Sequence, residues 1–83
     1  MSWHYIVIRK KLKYGKRTQY SYTIHEGYEF DKNGIPKHWT ESSVCPRADT
    51  LDDLRKDLCT MLMDSLRYPI YEERGNKLVI CKE

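Results

Sequence analysis

The chain has 83 residues, 33% of them charged, with 15 Lys and Arg against 12 Asp and Glu and a net charge of only +3. A chain of this length forms one domain that buries roughly 60–65% of its unfolded surface, which excludes a multidomain enzyme. No apolar run reaches transmembrane length and no signal-peptide core opens the sequence, so no membrane role is expected and a cytoplasmic location is.

The cysteines, Cys45, Cys59 and Cys81, are odd in number and widely spaced. That spacing argues against a disulfide framework, and without a C-x-x-C pair no zinc site is expected. Cys59 reads as a small hydrophobe beside the helix described below. Seven Tyr and two Trp against one Phe make the aromatic surface amphipathic. The charge is unevenly spread: residues 1–25 hold Arg9, Lys10, Lys11, Lys13, Lys16 and Arg17 and no carboxylate.

Trp3 to Arg9 is β-branched and aromatic and reads as a strand. Trp3, Tyr5 and Val7 fall on one side and Ile6 and Ile8 on the other. The strand is therefore interior and covered twice, or its second side meets a partner. Lys10 to Arg17 reads as a basic connection with Gly15 in its turn. A second strand spans Thr18 to Asp31, with Tyr20, Tyr22, Ile24, Tyr28 and Phe30 sharing a face. Glu26 interrupts that face, and a bulge at Glu26-Gly27 would turn it outward; otherwise the carboxylate needs a buried partner such as Arg9 or Lys10. Asp31-Lys32-Asn33-Gly34 is a tight-turn signal. Ile35 to Val44 is a third strand, confined to an edge by Pro36.

Cys45 to Asp49 links to an amphipathic helix. Thr50 caps it, Asp53 completes an approximate capping box, and Asp52 and Asp53 suit the first turn. Leu51, Leu54, Leu58, Met61, Leu62 and Ser65 follow helical spacing, a stripe expected to form core, and Pro69 ends the helix near Leu66 to Tyr68. Asp52, Arg55, Lys56, Asp57, Thr60 and Asp64 are assigned away from that stripe. Ile70 to Asn76 reads as extended or irregular, and Leu78 to Cys81 as a short last strand. The fold expected is α+β: an antiparallel three-stranded meander, one amphipathic helix and a short final strand. That strand returns parallel to the first by a right-handed crossover, giving the order 3-2-1-4. One helix covers one face, leaving the other open.

Thr50-Leu51-Asp52-Asp53-Leu54, after a Cys-Pro link and behind three strands, resembles the HicB-like antitoxin domain. That resemblance implies a βββαβ topology and a domain that binds and neutralises a protein partner, and such domains commonly pair. Val44-Cys45-Pro46-Arg47-Ala48-Asp49 only approximates the family's Pro-Gly-Cys-like segment. A second resemblance spans residues 3–69. Trp3-x-Tyr5, Ile24-His25-Glu26, Tyr28, Asp31, Gly34, Pro36, Thr40-Glu41, Pro46, Thr50, Leu54, Asp57-Leu58, Met61-Leu62 and Pro69 are similar to a bacterial family of small proteins to which no activity is assigned. It implies a shared fold and no chemistry.

Two groups of residues are candidates for function. Arg9, Lys10, Lys11, Lys13, Tyr14, Lys16 and Arg17, with Tyr20 and Tyr22, combine cations and aromatic rings as phosphate and base contacts require, although charge runs are ordinarily solvated loops. His25, Glu26, His38 and Glu41 could gather across the second hairpin, with His25 opposite Thr40 or Glu41. Such a group could do acid–base work or bind a metal; the plainer reading is a polar pair holding hairpin register. No catalytic residue, metal or cofactor is assigned. The expectation is a non-enzymatic interaction module, an orphan HicB-like domain that neutralises a toxin or a host-defence complex, protein or ribonucleoprotein. Its contacts would come from the open aromatic sheet face, which also motivates a homodimer, and from the basic hairpin. The alternative is a small RNA- or DNA-binding protein, sensitive to salt and to joint neutralisation of Lys11, Lys13 and Arg17. A metal-dependent or acid–base enzyme is the third reading.

Overall fold

A computed structural model describes residues 2–81. Two long strands dominate it. β1 (Trp3–Tyr14) and β2 (Arg17–Phe30) form one antiparallel hairpin in register from Trp3↔Tyr28 to Tyr14↔Arg17. The supposed basic connection is thus the far end of this hairpin, closed by a two-residue turn at Gly15-Lys16. Gly15 takes φ +61 at the first central position, where a side chain would be strained.

β3 (Pro36–Trp39) pairs with β2 at one edge, as the proline requires, but is shorter than the sequence suggests. Beyond Trp39 the chain keeps only isolated bonds to β2, from Thr40 N–H to the Glu26 carbonyl (3.0 Å) and from Val44 N–H to that of Ile24 (2.8 Å). The helix α1 (Leu51–Arg67) has the expected ends. Thr50 accepts from the Asp53 amide at 3.1 Å, and Tyr68 N–H closes on the Asp64 carbonyl at 3.1 Å.

The return strand differs from expectation. β4 (Ile70–Arg74), within the stretch read as extended or irregular, is a strand that lies parallel to β1 through Val7↔Ile70, Ile8↔Tyr71 and Arg9↔Glu72. β5 (Lys77–Cys81), the expected neighbour of β1, instead folds back on β4 through a turn at Gly75-Asn76. The sheet is therefore mixed, in the order β3-β2-β1-β4-β5. The first three places match the expected order; β4 takes the fourth in place of the last strand, which moves out to a fifth. Alternation explains the exchange: Ile70 and Glu72 serve one side of the sheet while Tyr71 serves the other.

The two sides of the sheet are filled differently. Tyr5 faces α1: its hydroxyl donates to Asp57 at 2.6 Å, and its backbone N–H donates to Asp64 at 3.0 Å. Asp57 and Asp64, assigned away from the apolar stripe, thus face the sheet, and burial together with Asp57 pushes the Tyr5 phenol pKa upward. The opposite side, expected to stay open, is closed within one chain. Ile6, Ile8, Tyr71 and Leu78 are buried there, with Phe30, Ile35 and Trp39 packed over them. The turn after β2 folds across this side. Asp31 accepts from the amides of Asn33 (2.8 Å) and Ile35 (3.0 Å), and Tyr71 donates its hydroxyl to the Gly34 carbonyl.

Alternation in β2 runs unbroken through Tyr28 and fails at Glu29, which adopts φ +53. Phe30 therefore swings onto the side of Gly27 and Ile6, and no bulge forms at Glu26. The Phe30 ring stacks on His4 at 3.9 Å between centroids, and Tyr68 stacks on His4 at 3.5 Å.

Burial pushes the Tyr71 phenol up to about 12 from its ordinary 10.0. A raised folded-state pKa means that the stabilisation is complete below the unfolded pKa and is lost as pH climbs toward the folded one. Stability should therefore fall between about pH 10 and 12, and Tyr71→Phe should flatten that fall; urea midpoints measured across this window check it.

Candidate nucleic-acid interface

β4 accompanies β1 only as far as Arg9, and the segment after β3 leaves β2 at Ile24. Residues 10–21 therefore project as a bare two-stranded ribbon, about 17 Å long at the usual rise per residue. The molecule's longest dimension, 44 Å against 32 and 21 Å, accords with such an arm. Every residue of the ribbon from Lys10 to Tyr20 is exposed.

The ribbon carries Lys10, Lys11, Lys13, Lys16 and Arg17 and no carboxylate, in a chain whose net charge is +3, so the rest of the molecule is net acidic. Pairing sets the faces. Lys11 sits opposite Tyr20 and Lys13 opposite Thr18 on one face; Lys10, Leu12 and Tyr14 share the other with Ser21, Gln19 and Arg17. Thus the sequence-predicted cations and tyrosines are brought together, as a ribbon rather than a loop. Its backbone is held by its own ladder, so the cations are spaced at fixed intervals without support from the core.

Arg9 differs from the other cations. Its guanidinium binds Glu72 at 2.9 Å and lies over the Tyr20 ring at 4.4 Å from the centroid. Arg9, followed by the Cys81 thiol, which donates to Glu72 at 3.4 Å, holds the Glu72 carboxyl below the usual carboxylate range. Arg9 anchors the foot of the ribbon to β4 and covers one side of Tyr20. At that foot Arg9, Lys10 and Lys11 share a depression with Glu41, Glu72 and Glu73, whereas Lys13, Lys16 and Arg17 stand beyond it. Nothing in the sequence marked Glu72 as the partner; the parallel register of β4 supplies it.

The polar group His25, Glu26, His38 and Glu41 does not assemble. His25 is buried, its Nδ1 2.8 Å from the Thr40 carbonyl and its Nε2 2.9 Å from the Thr23 hydroxyl. A carbonyl only accepts, so Nδ1 carries the proton, and in the neutral ring Nε2 accepts from Thr23. The contact with Thr40 is the cross-strand neighbour expected, and the ring is a satisfied core histidine. Glu26 lies on the other side of the sheet and accepts the Tyr28 hydroxyl. His38 is exposed and 3.5 Å from Glu29, and Glu41 is exposed near the ribbon's foot. Among the described residues, no group of three or more His, Cys, Asp or Glu is placed to hold a metal ion, and no helix is long and apolar enough to cross a membrane.

Sequence pattern missed one surface. The leucine stripe of α1 does not form core: of its members only Met61 is buried, while Leu51, Leu58 and Leu62 are exposed, as are Leu66 and Cys59 beside them. The arc that meets the sheet runs through Leu54, Asp57, Met61 and Asp64. The tyrosine-rich sheet face could have signalled this, because buried hydroxyls need acceptors. No family model, curated protein or solved structure matches the chain.

Proposed function

We propose that this chain is a non-enzymatic binding module that grips a polyanion, the phosphate backbone of a nucleic acid free or within a ribonucleoprotein, through the β1–β2 ribbon. One observation carries the reading: five cations and no carboxylate occupy a two-stranded arm, and Lys13, Lys16 and Arg17 stand beyond the acidic residues at its foot. Such an arm adds nothing to the hydrophobic core, and its like charges repel one another without a ligand. A two-stranded β-ribbon is also of the width that the DNA major groove admits, about 12 Å. Tyr14, exposed beside the turn, offers a ring for stacking.

A HicB-like role, neutralising a toxin or a host-defence complex, is the second reading, and the three strands followed by a helix favour it, although two strands rather than one follow the helix. In that case an acidic protein surface would meet the same cations, because the side of the sheet away from the helix is closed by Phe30, Ile35 and Trp39.

Fluorescence anisotropy with short duplex and single-stranded oligonucleotides distinguishes the two. Affinity should fall with salt at about 0.9 log units per log unit of salt for each B-DNA phosphate contacted, or about 0.7 for single strands. Joint replacement of Lys13, Lys16 and Arg17 by Gln should lower affinity by about 100-fold at low salt and flatten the slope by about three contacts. Absence of oligonucleotide binding at low salt removes the nucleic-acid reading and leaves the protein partner.

A further inference from the structure

The cations of the ribbon answer to phosphate; its rings do not. The arm from residue 10 to residue 21 carries two tyrosines, one on each face and each directly opposite a cation. Tyr20 is paired across the strands with Lys11, and Tyr14 with Arg17. They are 46 and 61% exposed, on an arm that lies in solvent from Lys10 to Tyr20. Tyr20 is the more firmly held. The Arg9 guanidinium, bound to Glu72 at 2.9 Å, lies over its ring at 4.4 Å from the centroid. That contact fixes the ring from one side and leaves the other to solvent, so part of the ordering that a stacked partner needs is already done.

We infer that Tyr20 seats an unpaired base on the side of its ring opposite Arg9, and that the ribbon's ligand is a single-stranded nucleic acid rather than a duplex; this rests on the polyanion reading above. In a duplex each base is stacked on its neighbours and shows only its edges in the grooves. A protein ring there reaches edges, sugar and phosphate, and finds no π-face to cover. A single strand exposes those faces, and stacking on tyrosine tolerates any sequence because every base has one. The placement of the two rings points the same way. A stiff duplex set against one face of the ribbon turns the ring of the other face away from itself. A single strand can follow Lys11 and Lys13 out to Lys16 at the turn and return past Arg17 to Tyr14.

Fluorescence anisotropy of the full chain at low salt tests this with four probes of one length: a single strand as DNA and as RNA, the matching DNA duplex, and an abasic DNA strand. The better bound of the two base-bearing single strands should bind about 10-fold tighter than the abasic strand, and tighter than the duplex, although the duplex carries the denser charge. Tyr20→Val keeps a strand-forming residue and removes the ring. It should lower affinity for the base-bearing strand about 10-fold at every salt concentration, with the salt slope and the abasic affinity unchanged. Tyr20→Trp, which retains a ring, should bind as the native chain does. Equal affinity for abasic and base-bearing strands, or a duplex bound as tightly as the single strand, overturns the inference while the polyanion reading stands. Equal loss of abasic and base-bearing strands in Tyr20→Val assigns the ring to holding the hairpin together and overturns it as well. No binding of any probe removes both.

Discussion

Tyr71→Ala is expected to cost about 4 kcal/mol of stability, while Leu62→Ala in dilute solution should cost less than about 1 kcal/mol. Tyr71 is fully buried, its ring lies among Ile6, Ile8 and Leu78, and its hydroxyl donates to the Gly34 carbonyl of the turn that closes this side of the sheet. Truncation would leave a cavity the size of a ring and release the turn. For a chain of this length the whole stability is on the order of 4–12 kcal/mol, so the variant would lose from about a third to nearly all of it at 25 °C. Leu62 occupies the middle of an apolar stripe that looks like core, yet 59% of it meets solvent. Urea unfolding followed by circular dichroism separates the two cases. A large loss at Leu62 with a small one at Tyr71 would mean that the core lies under the helix instead.

Gly27→Val should cost about 3 kcal/mol, in a strand where valine would otherwise be favoured. A Cβ at Gly27 would stand 2.9 Å from the tip of the Phe30 ring and 3.1 and 3.3 Å from two carbons of Ile6. Gly27 does not have positive φ, so the cost arises from crowding rather than from backbone strain. Because Phe30 is the nearest neighbour, Phe30→Ala should relieve part of it. A double-mutant cycle should show the two changes coupled by more than about 1 kcal/mol, and strict additivity would place Phe30 elsewhere.

The ends of the helix were legible because capping chemistry is local: Thr50, Asp53 and Pro69 act on amides and torsions within one turn. The run Trp3 to Ile8 likewise announced a strand apolar on both sides, although its second side was expected to stay open or meet a partner and is instead closed within the chain. The face that the helix turns inward was not legible, because its leucines and methionines cover a wider arc than the sheet can meet. Two aspartates face the sheet because Tyr5 supplies donors for them. β4 was obscured by Glu72, Glu73 and Arg74, whose charges suggest a loop until Glu72 is seen to be the partner of Arg9. The closing of the second side depends on the positive φ of Glu29, a conformation that no residue in that stretch advertises. For the ribbon, the residues were identified and their form was not: lysines have little strand preference, and only the register inherited from the core carries the ladder out to Gly15.

The most direct test of the ribbon's role is an amide chemical-shift titration of the full chain with a short oligonucleotide at low salt. Perturbations concentrated on residues 10–21, and reversed by added salt, are the result expected. Shifts confined to α1 or β5, or no shifts at all, would contradict it.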